Sequence, residues 1–289
     1  MKQKQFGSLP AQLTNFENAK FVILPVPFEG SGYVFKGSDK GPEALIDASA
    51  SIDLYDIHAD TEAYRAGIHT AEAVRERSAE KMIKEVQVRT LQLLKKKKFP
   101  VIVGGEHTVA IGAFRAFADY YKDKDLTILQ FDAHAAGSAE AGGTAYHHHC
   151  VMKHAAAHAP ILQAGIRSMS LAERETVEPG RMFYAGSMLD GSNKTWMYDF
   201  LNKLTRNVFV TIDLDVLDPS LMPAVATPEP GGLQWSGFIE ILTKVSEKSN
   251  IAGVCIAGLV PIKYNKAPNF IAARLLNTIL TLRYASALK

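Results

Sequence analysis

Cysteine is scarce: Cys150 and Cys255 are the only two in 289 residues. Two thiols cannot build a disulfide framework or a four-thiolate zinc site, and they fit a reduced, intracellular protein. Excess charge of either sign is also missing. Lys plus Arg is 32 and Asp plus Glu is 30, a formal net charge of +2, which gives no argument for a nucleic-acid partner. No apolar run approaches the length that spans a bilayer, and the first twenty residues hold no hydrophobic signal core. A cytoplasmic protein with no membrane association is expected. Lys95–Lys98 closes a helical stretch before Phe99-Pro100, where positive charge complements a helix C-terminus. No repeat and no linker rich in Pro, Gly or Ser interrupts the chain, so one domain over residues 1–289 is expected.

What is present is apolar material, 47% of residues, in short β-rich runs that alternate with longer helical ones. Strands are expected at 21–26, 101–103, 126–131, 161–166, 182–184, 208–212 and 251–256. These runs are almost continuously apolar, as in strands of a parallel sheet covered by helices on both faces. Helices are expected at 71–98, at 109–121 with Thr108 as N-cap, at 236–248 and at 270–288. The alternation predicts an α/β protein, a three-layer α/β/α sandwich with a mainly parallel central sheet. In such sheets ligands bind beyond the carboxyl ends of the strands, so the residues that follow each strand carry the functional information.

After Val101-Ile102-Val103 comes Gly104-Gly105-Glu106-His107, a tight turn that delivers an imidazole. After Leu129-Gln130-Phe131 comes Asp132-Ala133-His134, whose spacing sends a carboxylate and an imidazole to one side. After Val210-Thr211-Ile212 comes Asp213-Leu214-Asp215. Two carboxylates at the end of a buried strand repel, and need a cation or a proton. Asp218-Pro219 reads as a turn. His107, Asp132, His134, Asp213 and Asp215 together form a mixed N/O donor set. Such a set suits Mn²⁺, Ni²⁺, Co²⁺, Fe²⁺ or Zn²⁺ better than Ca²⁺, and three carboxylates allow one ion or two.

With these motifs in this order the sequence resembles the ureohydrolases, the family of arginase and agmatinase, and most nearly the bacterial agmatinase-like members. The resemblance also rests on Val26-Pro27-Phe28-Glu29-Gly30, Lys40-Gly41-Pro42-Glu43-Ala44, Asp215-Val216-Leu217-Asp218-Pro219, Thr227-Pro228-Glu229-Pro230-Gly231-Gly232-Leu233 and Asn265-Lys266-Ala267-Pro268-Asn269-Phe270. It implies an arginase-like fold, a homo-oligomer (trimer or hexamer), and hydrolysis of a small guanidino compound to an amine plus urea with Mn²⁺. It places one ion on His107, Asp132 and Asp213, and another on His134, Asp132, Asp213 and Asp215. It makes His148 a proton-transfer residue and, with Asp132, a candidate catalytic group.

Three corners depart from the family pattern. The D-A-H-x-D motif reads Asp132-Ala133-His134-Ala135-Ala136, so Ala136 stands where a metal-binding aspartate is expected. Gly258 stands where relatives carry the glutamate that holds the guanidinium. Pro223-Ala224-Val225-Ala226-Thr227-Pro228 replaces P-G-T-G-T-P. Six of the nine histidines crowd together at 134, 147, 148, 149, 154 and 158. His147 or His149 is a candidate to replace the missing donor, His149 is also a candidate substrate contact, and His154 and His158 have the i, i+4 spacing of a shared helix face. Three functions stay open: a guanidino hydrolase with an altered metal and substrate site, a catalytically inactive homologue with a regulatory or structural role, and a metal-dependent hydrolase of a non-guanidino substrate. Restoring the pattern with Gly258→Glu and Ala136→Asp is expected to raise urea formation and Mn²⁺ affinity.

Overall fold

Alternate residues of each strand run face opposite sides of the sheet, and in this chain both sides are apolar. A computed structural model describes residues 3–30, 35–121, 125–190 and 195–287. Its strands are β1 (Phe21–Val26), β2 (Ile68–Thr70), β3 (Phe99–Gly104), β4 (Leu126–Phe131), β5 (Ile161–Ile166), β6 (Met182–Tyr184), β7 (Asn207–Asp213) and β8 (Asn250–Ala257). They form one eight-stranded sheet in the order β2-β1-β3-β8-β7-β4-β5-β6, with every neighbouring pair parallel. Ile23, Val103, Val210, Ile212 and Ile256 pack with Phe238, Leu242 and Leu276 of the helices Trp235–Lys248 and Ala267–Ser286. Leu24, Ile102, Ile128, Phe209 and Cys255 pack on the other face with Met82, Val86, Phe114 and Phe117 of the helices Ala79–Lys95 and Ala110–Tyr121. The expected sandwich, with helices on both sides of a parallel sheet, is therefore present.

The path of the chain creates the site. From β1 it runs outward to one edge, and from β4 outward to the other. Strands β7 and β8 then return to fill the gap between β4 and β3. The order reverses there, and the carboxyl ends of β3, β8, β7 and β4 open into one crevice.

Several local expectations give way to tertiary pairing. Strand β2 escaped notice because it has three residues with a histidine at its centre. Residues 71–78 look helical, yet Ala71 N–H donates to the Ile23 carbonyl and Val74 N–H to that of Pro25, so this segment extends the edge of the sheet. The helix starts only at Ala79 and ends at Lys95. The lysine run then leaves the helix, and Lys98 Nζ donates to the carbonyls of Glu17 and Ala19. Thr108 is not an N-cap; it lies inside a 3₁₀ turn, His107–Val109, that leads into the helix from Ala110. The last helix starts at Ala267 rather than residue 270, because Pro268 suits its first turn. It ends at Ser286, and Leu288 lies outside the described residues. Among the described residues no helix is long and apolar enough to cross a membrane. Cys150 and Cys255 are both free thiols and both buried.

Candidate metal centre

Each ligand candidate follows one of the central strands. A Cβ on Gly105 would lie 2.2 Å from the Phe28 carbonyl oxygen. Only glycine lets the chain turn there and deliver His107 from β3. Asp132 and His134 follow β4. Asp213 ends β7, and its Oδ1 accepts from the Asp215 N–H at 3.2 Å, which fixes the 3₁₀ turn Leu214–Val216 that carries Asp215.

All five side chains named from the sequence meet. His107 Nδ1 lies 3.0 Å from Asp132 Oδ2 and 3.7 Å from Asp213 Oδ2. His134 Nδ1 lies 2.8 Å from Asp215 Oδ2 and 3.5 Å from Asp132 Oδ1. Two groups of convergent donors result, His107 with Asp132 and Asp213, and Asp132 with His134 and Asp215. Asp132 belongs to both. The five residues line a cavity of about 40 Å³, room for about two or three water-sized species.

The charges at this centre need compensation. Asp132, Asp213 and Asp215 are 2%, 6% and 5% exposed, and among the described residues no Lys or Arg forms an ion pair with them. Burial raises the Asp213 carboxyl well above its ordinary range, and Asp215 and Asp132 add to this. Asp215 is raised for the same reason, burial first and Asp132 next. For Asp132 burial is outweighed by hydrogen bonds to His107 and His134, which hold its carboxyl below the usual range. For His134 burial opposes the charged form, yet Asp132 and Asp215 hold its pKa at about 11. Such a set coheres only with positive charge among its oxygens, from protons or from a cation. Two imidazoles and three carboxylates are the donor types of a divalent transition-metal centre. Mn²⁺ and its neighbours fit these residues.

Other polar groups hold the donors in place. His107 Nε2 lies 2.7 Å from Thr211 Oγ1, a hydrogen bond that fixes the orientation of the ring with Nδ1 toward the cavity. Gln130 Nε2 donates to Asp132 Oδ2 at 2.7 Å, and Gln163 Nε2 donates to Gln130 Oε1 at 2.6 Å. The Ala133 N–H donates to Asp215 Oδ1 at 2.9 Å. The Arg167 guanidinium donates to carbonyls only, among them Asp215 at 2.7 Å and Glu229 at 2.8 Å. Glu173 accepts from the Gly137 N–H and closes a capping box with Ser170, which ties down the loop after His134. Sequence reading missed these groups. The signal for Gln130, Gln163 and Thr211 was there, because each is a polar residue within a mainly apolar strand. Asp218 does more than turn the chain: Oδ1 accepts from Ser220, and Oδ2 from the N–H groups of Gly231 and Gly232 at 3.0 Å.

The positions where the sequence resemblance leads one to expect other residues also fall at this centre. Ala136 lines the cavity at φ +49, a conformation that aspartate and asparagine adopt more readily than alanine. Gly258 has φ +90, and a Cβ there would lie 2.1 Å from Asp213 Oδ1. A glutamate at 258 therefore requires the Asp213 carboxylate to move and the chain to hold a side chain at positive φ. Ala224, Val225 and Ala226 are buried, and the first two join the main core, while Thr227 reaches the cavity.

The histidines divide. His148 and His149 line the cavity. Burial first, then His147 and His149, push the His148 pKa down to about 2. His147 does not reach the cavity wall; its Nδ1 accepts from the His149 N–H and caps the 3₁₀ turn His148–Cys150. His154 Nε2 bonds to the Ala145 carbonyl. The helix ends at Ala156, so His158 does not share a helix face with His154.

Comparison with known proteins agrees with this geometry. The family described as Arginase family matches residues 19–281. The N(1)-aminopropylagmatine ureohydrolase of Synechocystis is 30% identical over 283 residues, covering 94% of this chain and 91% of its own. The solved agmatine ureohydrolase of Thermoplasma volcanium superposes with a TM-score of 0.87 at 25% identity, over 100% of this chain and 97% of its own. A Trypanosoma cruzi formiminoglutamase variant solved with Mn²⁺ superposes with a TM-score of 0.81 at 16% identity, over 94% and 97%. At that identity the likeness speaks for the fold.

Proposed function

The chain belongs to the arginase family, and from that premise we propose that it is a metal-dependent C–N hydrolase that converts a small guanidino compound and water to an amine and urea. The observation that carries this reading is the pair of donor groups joined at Asp132. His107, Asp132 and Asp213 would hold one cation, and His134, Asp132, Asp213 and Asp215 the other. Bound Mn²⁺, or Ni²⁺, Co²⁺, Fe²⁺ or Zn²⁺, would lower the pKa of water and supply a nucleophile near neutral pH. The protein aims the donors through Thr211, Gln130 and the Ala133 N–H, and keeps bulk water from three carboxylates. His148 stands on the cavity wall, where it is the candidate to pass a proton to the leaving amine.

The substrate end differs from that of the family. Gly258 offers no carboxylate to a guanidinium, and a buried guanidinium without one is bound poorly. This favours a second reading, a metal-dependent hydrolase of a C–N substrate other than a guanidine, and it leaves the inactive homologue as the outcome in which no substrate turns over. The full chain, loaded with Mn²⁺ and incubated with agmatine, aminopropylagmatine, arginine and 4-guanidinobutyrate, should release urea from at least one of them. Formamide and amine from a formimino compound added to the same screen, with no urea from the guanidines, would favour the second reading. No product from any of them would sink both. The proposal includes a cytoplasmic homo-oligomer, trimer or hexamer, which light scattering after size exclusion would measure.

A further inference from the structure

His147, His148 and His149 are consecutive, and consecutive side chains ordinarily point apart. Here they converge. One ring nitrogen from each lies within 4.8 Å of the other two, and the ring centroids are 4.0, 4.4 and 5.2 Å apart. These nitrogens group with one another and not with the donors around Asp132, so this turn does not supply the donor that Ala136 lacks. The backbone beneath the rings is fixed. The His149 N–H donates to His147 Nδ1, and the Cys150 N–H donates to the His147 carbonyl at 2.8 Å. The His149 carbonyl accepts from the Ser138 N–H at 2.9 Å, and Cys150, next in the chain, is fully buried. His147 is buried, His148 lines the cavity and His149 is exposed, so an ion reaches the rings from solvent.

We propose that His147, His148 and His149 form a further cation site, separate from the donor set at Asp132, for a late first-row divalent ion such as Ni²⁺ or Zn²⁺. Three imidazoles without a carboxylate suit Ni²⁺, Cu²⁺ or Zn²⁺, and leave Mn²⁺ to the oxygen-rich donors around Asp132. Metal–nitrogen bonds of about 2.0–2.1 Å in a tetrahedral site put the nitrogens about 3.4 Å apart, so the rings close in by side-chain rotation while the backbone stays in place. His147 Nδ1 holds its cap bond at 3.3 Å, beyond the usual range. An ion that takes this lone pair exchanges a weak bond for a coordinate one. A cation here also engages His148, the candidate proton carrier, and so inhibits turnover. That consequence rests on the hydrolase reading above; the site itself does not.

The test titrates the full, Mn²⁺-saturated chain with Ni²⁺ and counts both metals per chain after desalting. The wild type should take up one Ni²⁺ and keep its Mn²⁺. His147→Asn removes an imidazole but leaves an oxygen that caps the turn, and His149→Gln removes the exposed ring. Each should weaken the Ni²⁺ at least tenfold with the Mn²⁺ count unchanged, and either variant carries the test if the other melts far below wild type. In a chain that releases urea, one equivalent of Ni²⁺ should suppress release by the wild type and not by His147→Asn. Ni²⁺ that enters only by displacing Mn²⁺, or that binds both variants as it binds the wild type, would overturn the proposal. A chain that retains no Mn²⁺ but holds a Ni²⁺ dependent on both histidines would uphold the site and reject the metal-dependent hydrolase reading alone.

Discussion

Replacing Gly258 by alanine adds one methyl group at the point where β8 meets the centre. Its Cβ would lie 2.1 Å from Asp213 Oδ1, well inside any real contact, at a backbone φ of +90. Holding an L-residue in a left-handed conformation costs about 1–2 kcal/mol. The Asp213 carboxylate must also swing away, which breaks its hydrogen bond from the Asp215 N–H, 3.2 Å long, at a further cost of about 1–3 kcal/mol. The sum is about 2–5 kcal/mol, and in a chain of this size each kcal/mol moves the melting midpoint by about 2 °C. Gly258→Ala should therefore melt about 4–10 °C below wild type by differential scanning calorimetry. It should also bind Mn²⁺ more weakly by isothermal titration, because Asp213 has moved. Gly237→Ala is the control, since its Cβ meets nothing within 4 Å on an exposed helix face; it should gain about 0.5–1 kcal/mol. If Gly258→Ala melts with wild type and keeps its Mn²⁺ affinity, the packing of Asp213 against Gly258 is wrong.

Three further outcomes are expected. Arg167→Met removes donors from the carbonyls of Asp215 and Glu229; it should destabilise the chain by about 1–3 kcal/mol and weaken Mn²⁺ binding, and a variant that loses neither would refute the anchoring of Asp215. The Asp218 carboxyl is held down to about 2, chiefly by the Ser220 hydroxyl, against an ordinary value of 3.8. Its contribution is thus complete above that value and is lost as pH falls toward 2, so the melting difference between wild type and Asp218→Asn should shrink across this window and stay flat above it. Chelation of a Mn²⁺-loaded sample should lower the melting midpoint, since an ion present at a hundredfold its Kd stabilises by about 2.7 kcal/mol; a midpoint indifferent to chelator would argue against a folded-state metal centre.

The central strands were legible from the sequence because burial on both faces leaves continuous apolar runs, and β1, β4, β5 and β6 occupy the segments expected. Their terminal residues named the donor set for the same reason: polar groups directly after apolar runs stand out. Strand β2 was not legible, since an edge strand of Ile68, His69 and Thr70 is identified by its partner β1 and not by its own composition. The same pairing overrides helix propensity at Ala71 and Val74. Arg167 was beyond reach for another reason. Its role depends on carbonyls of Gly165, Asp215 and Glu229 meeting one guanidinium, and backbone oxygens carry no sequence signature. Gly258 was noticed for the side chain it lacks, but φ and the approach of Asp213 decide what it can become.

Ala136 and Gly258 differ in mutational reversibility. At 136 the backbone already has the left-handed turn that an aspartate tolerates, and the side chain would enter an open cavity, so a single substitution can reinstall a carboxylate without remodelling the fold. At 258 the space is taken by Asp213, so a larger residue is admitted only after that carboxylate has found another position. A laboratory selection for faster guanidine hydrolysis by this chain should therefore reach 136 first and should acquire changes around Asp213 before any at 258. The order of accessible steps is built into the backbone geometry of two small residues.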